Sequence, residues 1–595
     1  MDCLNNNSGR STPPSSRPGL PPSDTPSGNT MGRNVFVRDK NEFSLLLDLP
    51  PGIQSKIFTC LRAHDITQLT RANSDINNRL KNDAAMARAW YRRLASSHQT
   101  LLKTIVAAKD KDELQKWLKR FTKDEALVKS IMDRQASIYF PALFFSTLTK
   151  LMCQCKTFKL ETKANIRCSS QQNSAIFSDD GRHLVITCDF KTWKIYGQES
   201  NGSWEAKGTI SHDDDVRSAT FSADGRYVVT TTIFGKAKIY GKKNEQSWEE
   251  ETISNDDSLR LATFSADGHY AVTASKDGKA TIYGRLTDGS WVEKAIIRHN
   301  NFLSSITFSA DGSHVVTASF DGRAKIYGKQ NDGSWAEKAI IFHDNRVDSA
   351  TFSADGRHVV TRSADNKVKI YGLEADGSWE EKAIIYHDDG VCSASFSPNS
   401  RCVVTASKDG RAIIFGKKDD GSWEEKATIN HDDCVWSATF SPDSRSVVTR
   451  SKDEKAKIYG LKDDGLWEEK TTIPHYLYIC SATFTFDSRH VITRGGDSKV
   501  KIYGHQDNGS WAEKAIITHD DVISANLSVD GRHLVTAGSD KMANIYGQVS
   551  DGPWQKKATI YHRRGIRRAI FSAEGHVLTI HGNNMAKISE LWMDE

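Results

Sequence analysis

No apolar run in this 595-residue chain reaches the length needed to span a bilayer, and its polar N-terminus lacks the hydrophobic centre of a signal peptide. Charge of one sign is missing too. Eighty Lys and Arg stand against 75 Asp and Glu, a net +5, so nothing global draws the protein to nucleic acid. The ten cysteines (Cys3, Cys60, Cys153, Cys155, Cys168, Cys188, Cys392, Cys402, Cys434 and Cys480) show no paired spacing. That excludes a disulfide framework read from spacing and points to a reduced intracellular compartment. Cys153-x-Cys155 is too close for a zinc knuckle and has no second pair. Catalytic signatures are absent: there is no phosphate-cradling glycine loop, no His-Glu-x-x-His and no Gly-x-Ser-x-Gly. A catalytic triad needs three different positions converging once. Here His and Asp recur together, as in His431-Asp432-Asp433, at the same place in copy after copy. The expectation is no catalytic residue, no metal, no cofactor, and neither a membrane nor a nucleic-acid partner.

What is present is repetition. Marker tryptophans stand at Trp204, Trp248, Trp291, Trp335, Trp379, Trp423, Trp467, Trp511 and Trp554, always 43 or 44 residues apart. A phenylalanine ladder runs in step from Phe177 to Phe571, with Leu527 filling one rung. Counting back 17 residues from Phe177 puts Leu160 at the tryptophan position, which makes ten units from about residue 160 onward. Each unit holds four short runs. In one copy they are Trp423–Ile429, Val435–Ser441, Ser446–Ser451 and Ala456–Tyr459, rich in Val, Ile, Thr, Phe and Tyr. Asp-Gly, Asp-Ser or Pro-Asp breaks separate them, which is strand and turn chemistry. Val447 and Thr449 lie on one face and Val448 on the other, so both faces must be covered, as when four-stranded blades stack around an axis. One unit cannot bury both its faces; ten neighbours can.

The order His, Phe-Ser-x-Asp-Gly, Ser-x-Asp-Gly, Lys-Ile-Tyr-Gly resembles the WD repeat of β-propellers, with Tyr where that family usually has Trp and Gly where it has Asp. The resemblance covers residues 160–595. It implies an all-β propeller of ten repeats over residues 158–595, in which the hydrogen-bonded His, Ser and Asp of the family map onto His343, Ser363 and Asp365. Further sets are His387, Ser407 and Asp409, and His431, Ser451 and Asp453. Asn255 replaces one His, Gly495 and Gly538 replace Ser, and Phe234 replaces Asp, so those blades are expected to be less well tied at their upper turns. Ten units without a linker, and a strand at Leu160–Ile166 free to complete the last blade, predict one closed ring with no open edge.

Residues 1–34 are Asn, Ser, Pro and Gly with almost no apolar content, the composition of a disordered tail. Residues 43–95 change character. Ile53, Ile57 and Leu61 follow Leu49-Pro50-Pro51 at helical spacing, and Asp65 is placed to cap a second helix beginning at Ile66. With Phe58, Leu69 and Trp90 this order resembles the F-box, a small all-α domain. The resemblance implies an adaptor-binding surface of Leu49, Pro50, Ile53, Ile57, Phe58, Leu61, Asp65, Ile66, Leu69 and Trp90. Residues 96–157 carry helical periodicity and predict a helical linker, with Asp112 and Asp124 near helix starts. Pro141 and the apolar Ala142–Phe145 are expected to end one helix and dock on the propeller.

Repeat scaffolds hold their frame and vary exposed positions, where binding usually sits. The residue after the first apolar position of the Phe-Ser strand faces the ring mouth in the family. It reads Asn173, Arg217, Arg260, Ser304, Asp348, Cys392, Trp436, Cys480, Ile523 and Arg567 across the units. Lys276, Lys408 and Lys452 precede the turn Asp. Arg and Trp dominate binding hot spots, and Arg forks match phosphate and carboxylate. A substrate-binding set of Arg217, Arg260, Lys276, Lys408, Trp436, Lys452 and Arg567 therefore predicts an acidic or phosphorylated peptide. For Arg362, Arg450 and Arg494 the competing reading is an inter-blade ion pair to an acidic turn. The two resemblances together imply a substrate-recognition subunit of an SCF-type ubiquitin ligase in the cytoplasm or nucleus. In it the F-box holds the adaptor, and through it a cullin, while the propeller holds the target protein. The alternative is a non-enzymatic scaffold with no ubiquitin link; the near-identity of the units also fits a microbial effector acting in a host cytosol.

Overall fold

The computed structural model describes residues 85–91, 94 and 96–594, apart from short stretches at 168–173, 200–201, 233–236, 245–246, 255–258, 507–508, 520, 529, 549–552 and 583–584. The tail and nearly all of the F-box-like segment, including Leu49, Pro50, Ile53, Ile57, Phe58, Leu61, Asp65, Ile66 and Leu69, lie outside them, as do Asn173, Phe234 and Asn255.

From residue 158 the chain forms ten four-stranded antiparallel sheets. Nine use consecutive strands in the order a-b-c-d from the axis outward. Blade 6, for example, is Val391–Phe396, Cys402–Ser407, Arg411–Lys417 and Trp423–Asn430. The tenth takes strands a to c from Ile566–Phe571, Val577–His581 and Met585–Met593, and its fourth strand from the start of the ring, Phe158–Arg167. Leu160 faces Leu591 and Ile166 faces Ala586 in that pairing. Ile166, Leu578, Ile580 and Ile588 of blade 10 then share one core with Ala175, Leu184, Ile186 and Trp204 of blade 1. The ring closes on itself, as the free strand predicts.

Each core lies between blades rather than within one. Val404, Ala406, Ala412 and Ile414 of blade 6 pack against Val435, Ala438 and Val447 of blade 7. Burying each Val or Ile contributes roughly 1.5–3 kcal/mol, so a lone blade would forfeit both faces. In blade 6 the marker tryptophan wedges the lower end of the seam. Trp423 meets Phe396 of its own blade at 6.3 Å and His358 of the preceding one at 5.7 Å, near edge-on. At the lower a-b turn the left-handed residue is Gly356 in blade 5 but Ser400, Ser444 and Ser488 in blades 6 to 8, at φ near 60°. Their hydroxyls compensate by accepting the backbone N–H of Asp355, Asn399 and Asp443 from the preceding blade.

The helical linker forms α1 (Ala85–Tyr91), α2 (Ser96–Ala107), α3 (Lys111–Lys119), α4 (Glu125–Met132) and α5 (Phe140–Gln154). Asp112 lies in the first turn of α3, as its spacing suggests; Asp110, two residues earlier, caps that helix in a reciprocal box with Glu113, and Asp124 caps α4. Pro141 begins α5 rather than ending a helix, because its missing N–H is harmless in a first turn. Leu114, Trp117, Leu118, Phe144 and Phe145 share one core with Val535 and Ala537 of blade 9 and Ile566, Ala569 and Val577 of blade 10. Arg120 reaches Glu590 at 2.5 Å with both side chains buried, Lys163 reaches the same carboxylate at 2.8 Å, and Lys109 pairs with Glu574. Ser528 and Asp530 of one lower turn and Ser572–Gly575 of the next line this contact. The linker therefore sits on the lower face, under the blade that closes the ring.

Candidate protein-binding face

The upper face is built from the d-a and b-c turns and the starts of the inner strands. In blades 5, 6 and 7 the turn His bridges the blade. His343 bonds Asp365 at 2.9 Å and Thr361 at 2.8 Å, and His387 and His431 repeat this with Asp409 and Thr405, and Asp453 and Thr449. The serine expected in this network is not the histidine's partner. Ser363 instead donates to the d-a turn carbonyls of Asn345 and Arg346 and accepts the Asp365 N–H. Gly495 consequently costs blade 8 only the serine bonds: His475 still holds Asp497 at 3.1 Å and Thr493 at 2.9 Å. His519 of blade 9 likewise keeps Asp540 at 2.7 Å despite Gly538. Burial lowers His343 and His431 below the usual imidazole range against the pull of their aspartates. Burial alone would raise Asp409, but the Arg411 and Asp388 N–H groups and the His387 ring bring it down to about 2. These groups are frame.

The variable residue of each inner strand sits at a β-bulge in blades 2 to 10, between Val216 and Ser218, Leu259 and Leu261, and so on to Ile566 and Arg568. A bulge leaves its extra residue unpaired and re-aims the side chain. The ring of bulges has two unlike arcs. Blades 10, 2 and 3 present Arg567, Arg217 and Arg260, while blades 6 to 9 present Cys392, Trp436, Cys480 and Ile523.

The sequence-predicted set divides between these arcs. Arg217, exposed, and Arg260, half-buried, line one groove of about 420 Å3 with Leu261, Leu303, Phe320, Asp348 and Arg362. Lys276 and Arg567 are exposed on the same side of the ring. Lys408, Trp436 and Lys452 belong to blades 6 and 7, opposite. Lys452 pairs with Asp433 at 3.2 Å, and the Arg450 guanidinium lies over the Trp436 ring at 5.3 Å. The ten-membered ring thus keeps the seven residues from forming one continuous site. Trp90, expected at the adaptor, is half-buried against the linker core beside Leu102 and Trp117.

The three strand-b arginines tie blades together, mostly through backbone carbonyls. Arg362 donates to Val391 O of the next blade at 2.7 Å as well as pairing with Asp348 at 3.2 Å. Arg450 donates to Ile479 O and Cys480 O, and Arg494 to Val522 O. Sequence reasoning missed the exposed aromatics of this face. Phe302 and Phe320 adjoin at 6.4 Å, and Tyr476, Leu477 and Tyr478 replace the acidic turn of blade 8. Departure from the His-Asp-Asp pattern was the available signal.

Four stretches, residues 292–328, 337–372, 380–415 and 423–460, match the family described as "WD domain, G-beta repeat". Four of the ten sequence units therefore match the WD repeat. Each match begins within an outer strand, at its tryptophan or one or two residues past it, so it follows the sequence unit d-a-b-c rather than the blade. Among solved structures the chain is similar to Sqt1 of Saccharomyces cerevisiae, with a TM-score of 0.39 and 14% identity over 56% of this chain and 95% of that one. Sqt1 of Chaetomium thermophilum gives the same TM-score and identity over 56% of this chain and 94% of that one. No curated protein matches the chain by sequence. A WD-repeat propeller with an uneven upper rim is an interaction platform for other proteins.

Proposed function

We propose that the protein is the substrate-recognition subunit of an SCF-type ubiquitin ligase, acting in the cytoplasm or nucleus. Its F-box-like segment takes the adaptor and, through it, a cullin; its upper rim takes the protein to be modified. Catalysis is left to other subunits and works by proximity. The observation that carries this reading is the division of faces. The linker is fixed under blades 9 and 10 by a shared core and the buried Arg120–Glu590 pair, while the variable bulges open on the opposite face. Such a body keeps its linker and its variable rim on opposite sides of the ring.

The target chemistry that fits best is an acidic or phosphorylated peptide entering the groove of Arg217 and Arg260, with Phe320 as its apolar wall. The rival, a scaffold with no ubiquitin link, is favoured by the family match falling on blades alone. Reconstitution separates them. The full chain mixed with purified adaptor and cullin should elute as one complex from a sizing column; separate elution of all components would leave the scaffold.

A further inference from the structure

We propose that Cys392 and Cys434 form a reversible disulfide that staples blade 6 to blade 7 at the mouth of the ring. Their sulfurs lie 3.9 Å apart, in contact but unbonded, and both side chains are half-exposed, so a small oxidant can reach them. A disulfide needs about 2.05 Å between sulfurs. The backbone at both ends can give the remaining distance: Cys392 is the unpaired residue of the bulge between Val391 and Ser393, and Cys434 lies in the turn before Val435–Phe440. Neither thiol is locked into a ladder, as a cysteine in mid-strand would be. They are 42 residues apart in sequence, close to one repeat, which is how neighbouring blades bring them together.

The oxidant we assign is a low-molecular-weight disulfide such as glutathione disulfide. Burial, and then the adjacent Cys392 sulfur, raise the Cys434 thiol. Either sulfur can open the exchange, and its course is the same with Cys392 first. The Cys392 thiolate breaks the glutathione S–S bond, forms a mixed disulfide and releases one glutathione thiolate. Cys434, giving up its proton, then attacks the Cys392 sulfur and expels the second glutathione. Two protein S–H bonds are exchanged for one S–S bond. The two protons and two electrons leave with the two glutathione thiols. The staple lies beside Trp436 and the Arg450 guanidinium above it, the apolar arc of the mouth. This inference rests on the thiol geometry and not on the ligase reading.

The test uses the full chain, first reduced and then equilibrated with glutathione disulfide, with remaining thiols alkylated and the intact mass and non-reduced peptides read. The expected result is a loss of about 2 Da, two hydrogens, in a linked peptide pair holding Cys392 and Cys434, reversed by excess glutathione. Cys480→Ser should leave the bond unchanged. Cys392→Ser and Cys434→Ser should each abolish it and leave a glutathione adduct on the partner thiol. The proposal is overturned if both thiols stay alkylatable under glutathione disulfide while a surface control thiol is modified. It is equally overturned if Cys434 pairs with Cys480, or if Cys480→Ser removes the bond.

Discussion

Gly416 lies directly beneath the side chain of Lys426: a Cβ built on the glycine would meet Lys426 Cγ at 2.8 Å and Cε at 2.9 Å. The same pairing recurs at Gly284 with Lys294, Gly372 with Lys382, Gly460 with Lys470 and Gly504 with Lys514. This explains why the chain has Gly where WD repeats usually have Asp. The lysine of the outer strand crosses the third strand at that point, and only a residue without a side chain lets it pass. We expect Gly416→Ala to destabilise the protein by about 1–3 kcal/mol through overpacking. The same substitution in a Lys426→Ala background should cost under about 0.5 kcal/mol, since the overlapping atoms are gone. Denaturant unfolding of the four proteins measures the coupling.

The linker is held to the ring by buried charge. Removing one partner of such a pair strands the other in a low-dielectric site, at about 3–5 kcal/mol. Arg120→Ala leaves Glu590 with Lys163 and His576, at 2.8 and 3.6 Å, and the Trp592 indole N–H at 3.0 Å, but without its buried guanidinium. We expect a fall in the thermal midpoint and faster proteolytic release of residues 85–157. A midpoint and cleavage rate equal to wild type would show that the apolar contact alone holds the linker.

Stability should fall as pH drops below neutral. Among the described residues of blade 10 the turn histidine meets a second imidazole, His562 stacking on His581 at 4.3 Å. Burial and that ring push His562 from 6.5 down to about 4. Between those values the unfolded chain holds a proton that the folded one does not. Stability is therefore full above about 6.5 and is lost as pH falls toward 4. His343, His431 and His475, lowered by burial, add in the same direction. Asp409, moved from 3.8 to about 2, extends the loss below the histidine window. Thermal midpoints taken from pH 7 to pH 4 should decline steadily, and His562→Gln should shrink that decline.

Much of the architecture was legible because the frame is periodic. The tryptophan ladder gives the blade count, and the spare strand at Leu160 gives the closure, each needing only spacing and edge pairing. What stayed hidden depends on which atoms meet across a seam. Ser363 matched the family pattern in position, yet Thr361, two residues earlier in the same strand, makes the bond to the histidine while Ser363 holds the d-a turn carbonyls. The arcs of the mouth were invisible to a residue-by-residue comparison because blades 2 and 7 are alike in sequence but opposite in space. Cys392 and Cys434 showed no pairing because they hold different positions in neighbouring units, 42 residues apart, and only the stacking of blades 6 and 7 brings their sulfurs together.

Charge reversal at the groove tests the upper face. Arg217→Glu with Arg260→Glu should abolish binding of an acidic partner while leaving the thermal midpoint unchanged, since neither arginine is fully buried. Wild-type binding should weaken as salt rises and the Debye length falls below about 8–10 Å. Lys408→Glu with Lys452→Glu, on the opposite arc, should have a much smaller effect. Equal loss from both pairs would mean that the partner spans the mouth.

The most direct test of the receptor account is adaptor binding by the full chain. Leu49→Ala with Pro50→Ala removes apolar surface where burying a leucine contributes roughly 1.5–3 kcal/mol. That is about tenfold or more in affinity, at 1.4 kcal/mol per decade. The predicted result of titration calorimetry is tight binding of purified adaptor by the wild type and at least that loss in the double variant, with the propeller's unfolding transition unmoved. Undiminished affinity in the double variant, or no heat of binding with the wild type, would contradict it.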